Sequence, residues 1–157
     1  KRLRENLARL NLPAEIVTAD AGAWRPSTPA DAVLLDAPCT ATGTVRRHPD
    51  VLHLKSPADL AAMIALQDRL LGNAWAMLKP GGVLVYCTCS LQTEEGAPRI
   101  DRLLAAGAPL GRVPIAAHEV GAPPEAVTAQ GDVRTLPCHW RDAGGLDGFY
   151  IARLRRL

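Results

Sequence analysis

The apolar positions along the chain change their period several times, and each change marks an element. In KRLRENLARL, Leu3, Leu7 and Leu10 recur at helical spacing, and Asn11-Leu12-Pro13 ends that helix. EIVTAD then reads as a short strand ending on Asp20. A loop rich in glycine, proline and serine leads to ADAVLLD, whose nearly unbroken apolar run predicts a buried strand ending on Asp36. The long loop APCTATGTVRRHPD follows. Ser56-Pro57-Ala58-Asp59 is a capping box with proline at the first helical position. It opens a helix with Leu60, Met63, Ile64, Leu70, Leu71, Ala74 and Leu78 on its inner face, stopped by Lys79-Pro80-Gly81-Gly82. VLVYCTC is the next strand, and TEEGAPRIDRLLAA a shorter helix started or broken around Pro98. Further strands are predicted near 112–117, 133–136 and 148–154.

Strands alternating with helices, with near-continuous apolar strands, predict an α/β fold: a mostly parallel sheet with helices on both faces, in one domain. In such sheets the ligand site lies off the carboxyl ends of the strands. Asp20, then Asp36 with Cys39, then Cys89 stand at or just beyond three successive strand ends. Two acids and two thiols are thereby expected on one edge.

Composition narrows the class and leaves the chemistry open. The 157 residues are 48% apolar and 22% charged, the balance of a globular chain and not a disordered one. A formal net charge of +2 selects no partner. Basic clusters occur at Arg46-Arg47-His48 and at Arg153, Arg155 and Arg156, and the second reads as solvated surface. No apolar stretch is long enough to span a bilayer, and no signal peptide is recognisable. Four cysteines without a secretion signal are expected to be reduced, in the cytoplasm.

Cys87 and Cys89 in YCTCS face the same side of their strand, roughly 6.6 Å apart along it. A disulfide needs converging side-chain vectors, which neighbours of this kind lack. Zinc needs about four ligands, and Cys138 with His139 offers no second short-spaced cysteine pair, so no metal is assigned. Free cysteine is commonly buried filler, and that reading is taken for Cys87 and Cys138. Cys89 fits it less well, because the strand gives way there to Ser90 and a helix start, where helix amides lower a thiol's pKa. Cys39 follows Pro38 in a polar loop and fits it least.

DAPCTATGTVRRHPD, LKPGGVLVYCTCSLQTEEG and LPCHWRDAGGLDGFYIARL together resemble the RNA cytosine-5 methyltransferases, most of all the bacterial enzymes that modify small-subunit ribosomal RNA. The likeness runs through nearly the whole chain in the same order. It implies a Rossmann-like methyltransferase fold, S-adenosylmethionine as methyl donor and an RNA cytosine as acceptor. By motif, Cys89 is then the nucleophile and Cys39 assists product release. Asp20 lies by the adenine end of the cofactor, and Asp36 between the methyl donor and the base. Arg46 and Arg47 are candidates for holding RNA phosphates.

The chain departs from the family pattern in two ways. The glycine-rich cofactor loop and the acid after the following strand are expected before Lys1, as is an N-terminal RNA-binding region. The chain therefore reads as part of a longer protein, with weak cofactor binding of its own. Thr40 and Ala41 stand where serine and glycine are expected. Three alternatives remain at this stage: attack by the Pro-Cys thiol, as in DNA cytosine-5 methyltransferases; a degenerate domain that binds RNA or protein; and a redox or zinc module on Cys87 and Cys89. The sequence is silent on oligomeric state.

Overall fold

The computed structural model describes residues 2–157, and its centre is a mixed sheet built from ADAVLLD, LKPGGVLVYCT and FYIARLRR. In chain order the elements are α1 (Arg2–Leu10), β1 (Ala30–Asp36), α2 (Val51–Leu54), α3 (Pro57–Ala76), β2 (Leu78–Thr88), α4 (Ala97–Ala105), β3 (Leu110–Arg112), α5 (Ala117–Val120), β4 (Val133–Thr135) and β5 (Phe149–Arg156). The strands lie in the order β1-β2-β5-β3, with β4 also on β5.

The α/β class holds, and the parallel pairing is confined to β1 and β2. β5 runs antiparallel to β2, β3 and β4. Parallel neighbours need a long crossover between them. The chain from β1 through α3 to β2 supplies one. Between α4 and β5 the only helix longer than a single 3₁₀ turn is the four-residue α5, and the chain doubles back.

Alternation along β2 sets the layers. Leu84, Tyr86 and Thr88 are buried, whereas Val83, Val85 and Cys87 are only half-buried. α3 and α4 pack on the buried face, where Leu71, Ala74, Leu84, Tyr86, Ile100, Ala152 and Leu154 form the main core. On the other face a small cluster of Ile115, Ala126 and Val133 packs with Ile151. Helices on both faces were expected; among the described residues the long ones, α3 and α4, cover one.

α3 starts as its sequence dictates. The Ser56 side chain accepts from the Asp59 amide, and the Asp59 carboxylate accepts from the Ser56 amide, with Pro57 following. The helix ends at Ala76, so Leu78 lies in β2 and not on the helix face. Lys79-Pro80-Gly81-Gly82 form an irregular start to that strand: pairing jumps from Ala30–Leu78 to Ala32–Val83, with Gly81 at φ 79°. Glycine takes that positive φ without a Cβ clash. Two buried polar residues share the inner face of α3, Gln67 and Asn73. The Asn73 amide donates to the carbonyls of Ala21 and Trp24, tying the loop before β1 to the helix.

EIVTAD is not a strand. Residues 12–18 have no regular structure, because β1 pairs only with β2 among the described strands and the segment finds no ladder. Asp20 instead closes a turn, its carbonyl accepting from Ala23 and Trp24. The strand expected at 112–117 is shorter and earlier, ending at Arg112. Two of the three C-terminal arginines are partnered, and Arg155 is solvated surface, as expected. Arg156 lies over the Trp75 ring and donates to the Leu78 carbonyl; Arg153 pairs with Glu119.

Candidate active site

Beyond Asp36 the chain stays beside β2 for one more residue, the Ala37 amide donating to the Cys87 carbonyl. It then turns through Pro38, Cys39 and Thr40 into Ala41, which adopts the left-handed conformation at φ 58°. A single 3₁₀ turn, Thr42–Thr44, follows. Inside it the Gly43 amide donates to the Cys89 carbonyl (3.0 Å), and the Gly43 carbonyl accepts from the Gly148 amide (2.8 Å). Three segments thus cross at Gly43. A Cβ there would sit 1.9 Å from the Gly148 carbonyl oxygen, so only glycine allows the approach. The Thr42 hydroxyl adds a bond from the Leu91 amide.

This crossing brings Cys39 and Cys89, fifty residues apart, to a Sγ–Sγ distance of 3.5 Å. All four cysteines are free. Burial, first of all, pushes the Cys39 thiol up to about 12; the Ala41 amide opposes the shift, while Cys89 and Glu95 add to it. Cys87 is not the core filler expected of it. It shares the half-buried face with Cys89, and its thiol donates to the Asp36 carboxylate at 3.6 Å. Burial and Asp36 together push Cys87 up to about 11. Cys138 is exposed and not buried filler either. No helix begins at Ser90; a 3₁₀ turn spans Thr93–Glu95, and α4 starts only at Ala97.

Glu95 was not singled out by the sequence, yet it is fully buried beneath both cysteine segments. Its carboxylate accepts from the Thr40 amide at 3.0 and 3.2 Å, from the Thr40 and Ser90 hydroxyls at 2.5 Å each, and from the Gln67 amide at 2.9 Å. The signals available were weak: a glutamine on the inner face of an apolar helix, and an acid shortly after the Cys89 strand.

Asp36 is exposed at the end of β1, bonded only to Cys87 among the described residues. Asp20 stands apart from a strand end. Its two carboxylate oxygens accept from Arg69 of α3 and from the Gly22 amide, and Arg69 first, then Gly22, hold its carboxyl below the usual range. Beside it lies a hollow of about 280 Å³ lined by Glu15, Val17, Ala19, Ala21 and Trp24. Arg46 and Arg47 both meet Asp147, Arg47 through two hydrogen bonds. That carboxylate lies a hundred residues from Arg47 and was also missed. Both arginine side chains stay about half-exposed, 43% and 53%, so their outer edges remain open to solvent.

Residues 1–155 match the family described as 16S rRNA methyltransferase RsmB/F. The chain belongs to the RsmB/F family. Curated relatives include Ribosomal RNA small subunit methyltransferase B of Pasteurella multocida, 38% identical across 100% of this chain and 34% of the relative. The protein of the same name from Vibrio cholerae is 42% identical, over 99% of this chain and 33% of its own. The chain thus spans about a third of the length of these curated relatives. Among solved structures, a methyltransferase homolog protein from Pyrococcus horikoshii aligns with a TM-score of 0.73 at 31% identity, covering 99% of this chain and 50% of that one. NSun6 from the same organism, solved with SFG, gives 0.74 at 28%, covering 99% and 38%. The RsmB/F match runs through DAPCT and YCTCS alike, the two segments that cross at Gly43.

Proposed function

We propose that the protein containing this chain transfers a methyl group from S-adenosylmethionine to carbon-5 of a cytosine in small-subunit ribosomal RNA, with Cys89 as nucleophile. The observation that carries this reading is the contact of the Cys39 and Cys89 thiols beyond the ends of β1 and β2. The family match and the names of the relatives support the RNA substrate.

Carbon-5 of cytosine is a weak nucleophile. The Cys89 thiolate adds to carbon-6, and the electron pair of the 5,6 double bond becomes available at carbon-5. S-adenosylmethionine supplies the electrophilic methyl group that carbon-5 takes. The carbon-5 proton passes to solvent water, its bonding pair re-forms the 5,6 double bond, and the Cys89 sulfur leaves carbon-6 as thiolate. Covalent catalysis thereby divides one hard step into easier ones. Asp36 accepts from the amino edge of the base and favours the protonated ring that receives the thiolate. Cys39 remains a thiol at neutral pH, buried as it is, and touches the sulfur that must leave.

The donor set fits the cofactor at two points. Asp36 offers an exposed carboxylate with one weak thiol contact, suited to the amino acid end of a cationic ligand. The hollow with Trp24, next to Asp20 and bordered by Glu15, suits an adenine ring. Arg46 and Arg47 would meet phosphates flanking the unstacked base.

Incubating the full-length protein with small-subunit ribosomal RNA and labelled S-adenosylmethionine, then digesting to nucleosides, tests the proposal. Label in 5-methylcytidine is the expected result. Label only in an N-methylated or ribose-methylated nucleoside would sink it.

A further inference from the structure

We propose that Glu95 is a positioning residue for this reaction: the buried anion that locks the Cys39 loop onto the Cys89 segment and fixes the gap between the two thiols. The inference rests on the division of roles between Cys39 and Cys89 proposed above.

The partners of Glu95 carry the argument. Thr40 directly follows Cys39, and Ser90 directly follows Cys89; one carboxylate binds both. Gln67, which donates to the same carboxylate, also donates to the carbonyl of Pro38, the residue before Cys39. The Cys39 loop is therefore gripped on both sides. The same hydroxyls bond each other, Thr40 to Ser90 at 3.1 Å and Thr42 to Ser90 at 3.2 Å, so the crossing forms one polar network.

Glu95 is fully buried, and every donor to it is neutral. No lysine, arginine or histidine pairs with it among the described residues. Thr, Ser and Gln would also bond a neutral amide, though more weakly than a carboxylate. The Glu95 carboxylate, beside Cys39, opposes loss of the Cys39 proton in the same direction as burial. Cys39 is thus held as a thiol, in contact with the sulfur that must leave the base. A loosened Cys39 loop leaves addition by Cys89 intact and slows the breakdown of the adduct. Misplacement of a reacting group by 1 Å can cost about 100-fold.

Glu95→Gln in the full-length protein keeps the shape and removes the charge. The test measures turnover on unmodified RNA together with the amount of denaturant-stable protein–RNA adduct. Expected are a kcat down by about 10- to 100-fold and a KM for RNA that falls with it, leaving kcat/KM near wild type. The adduct should accumulate as it does in Cys39→Ala. The double variant should be no slower than Cys39→Ala alone, since both changes disable one step. Thr40→Val, which removes the hydroxyl donor on the Cys39 side, should give the same adduct if Glu95→Gln folds poorly. Wild-type kcat in Glu95→Gln, or a lower kcat with no adduct in either variant while Cys39→Ala accumulates it, overturns the proposal. Independent, multiplying losses in the double variant also overturn it. If Cys39→Ala itself leaves no adduct, the assigned role of Cys39 fails instead, and the proposal falls with it.

Discussion

The crossing of Pro38–Thr44 with Thr88–Glu95 and the N-terminal stretch through Asp20 both place a carboxylate where the sequence pointed to a site. The molecule holds them in opposite ways. At the crossing, Glu95 is covered, its oxygens are filled by four side-chain and backbone donors, and Gly43 leaves no slack between three backbones. Around Asp20 the carboxylate is exposed and its partner Arg69 is half in solvent. Buried networks admit one geometry, whereas surface pairs are screened and exchange with water. On the proposed function, the first region serves a reaction that needs two sulfurs at a set distance, and the second meets a ligand that brings contacts of its own.

The difference can be broken at its strongest point first. Gly43→Ala forces a methyl group onto the Gly148 carbonyl, and should destabilise the fold by about 3 kcal/mol in urea titrations and abolish methyl transfer. A loss below about 1 kcal/mol would mean that the crossing yields easily.

Alkaline pH probes the buried thiols next. The Cys39 thiol is raised from its ordinary value of 9.0 to about 12, and Cys87 to about 11. Between those limits the unfolded chain has lost protons that the folded one keeps, so stability falls as pH rises. Buried Tyr86 and Tyr150 are raised too and steepen the loss above 10.0, their ordinary value. Thermal unfolding at pH 9 and 10 should show the decline, and Cys39→Ala should reduce it in that interval. An unchanged decline would place the responsible groups elsewhere.

A smaller gain is available at Ala41. Its left-handed conformation costs a non-glycine residue about 1 kcal/mol, so Ala41→Gly should stabilise the protein by up to that amount. Smallest of all, Asp20→Asn should leave Tm within the scatter of replicate scans, since its ion pair is solvent-exposed. Its effect should appear instead as weaker binding of S-adenosylmethionine.

Local signals in the sequence were read well where the structure uses them locally. The Ser56 capping box needs only near neighbours to take shape, whereas the apolar runs ADAVLLD and VLVYCTC mark strands that find each other across a long crossover; ADAVLLD is not the buried strand expected, with Leu34 71% exposed. Cys39 and Cys89 could be brought together because strand ends of an α/β sheet share an edge. EIVTAD failed for the complementary reason: strand-forming residues make a strand only beside a ladder partner. Cys87 was misplaced although the alternation that pairs it with Cys89 already put it on the less covered face. Glu95 was invisible because TEEG reads as solvated acids before a helix. Its burial comes from Gln67 of α3 and Thr40 of a distant loop, and no periodicity encodes that. Asp147, joined to Arg47 across a hundred residues, is the same kind of omission.

The central claim is that Cys89 attacks the base and Cys39 does not. RNA carrying 5-fluorocytosine tests it most directly, because fluorine at carbon-5 cannot leave as a proton and the covalent adduct persists. The full-length protein is incubated with this RNA and S-adenosylmethionine, and the cross-linked peptide is identified by mass spectrometry. The RNA should be found on Cys89, be absent from Cys89→Ala and persist in Cys39→Ala. A nucleotide attached to Cys39, or an adduct surviving in Cys89→Ala, would contradict the account.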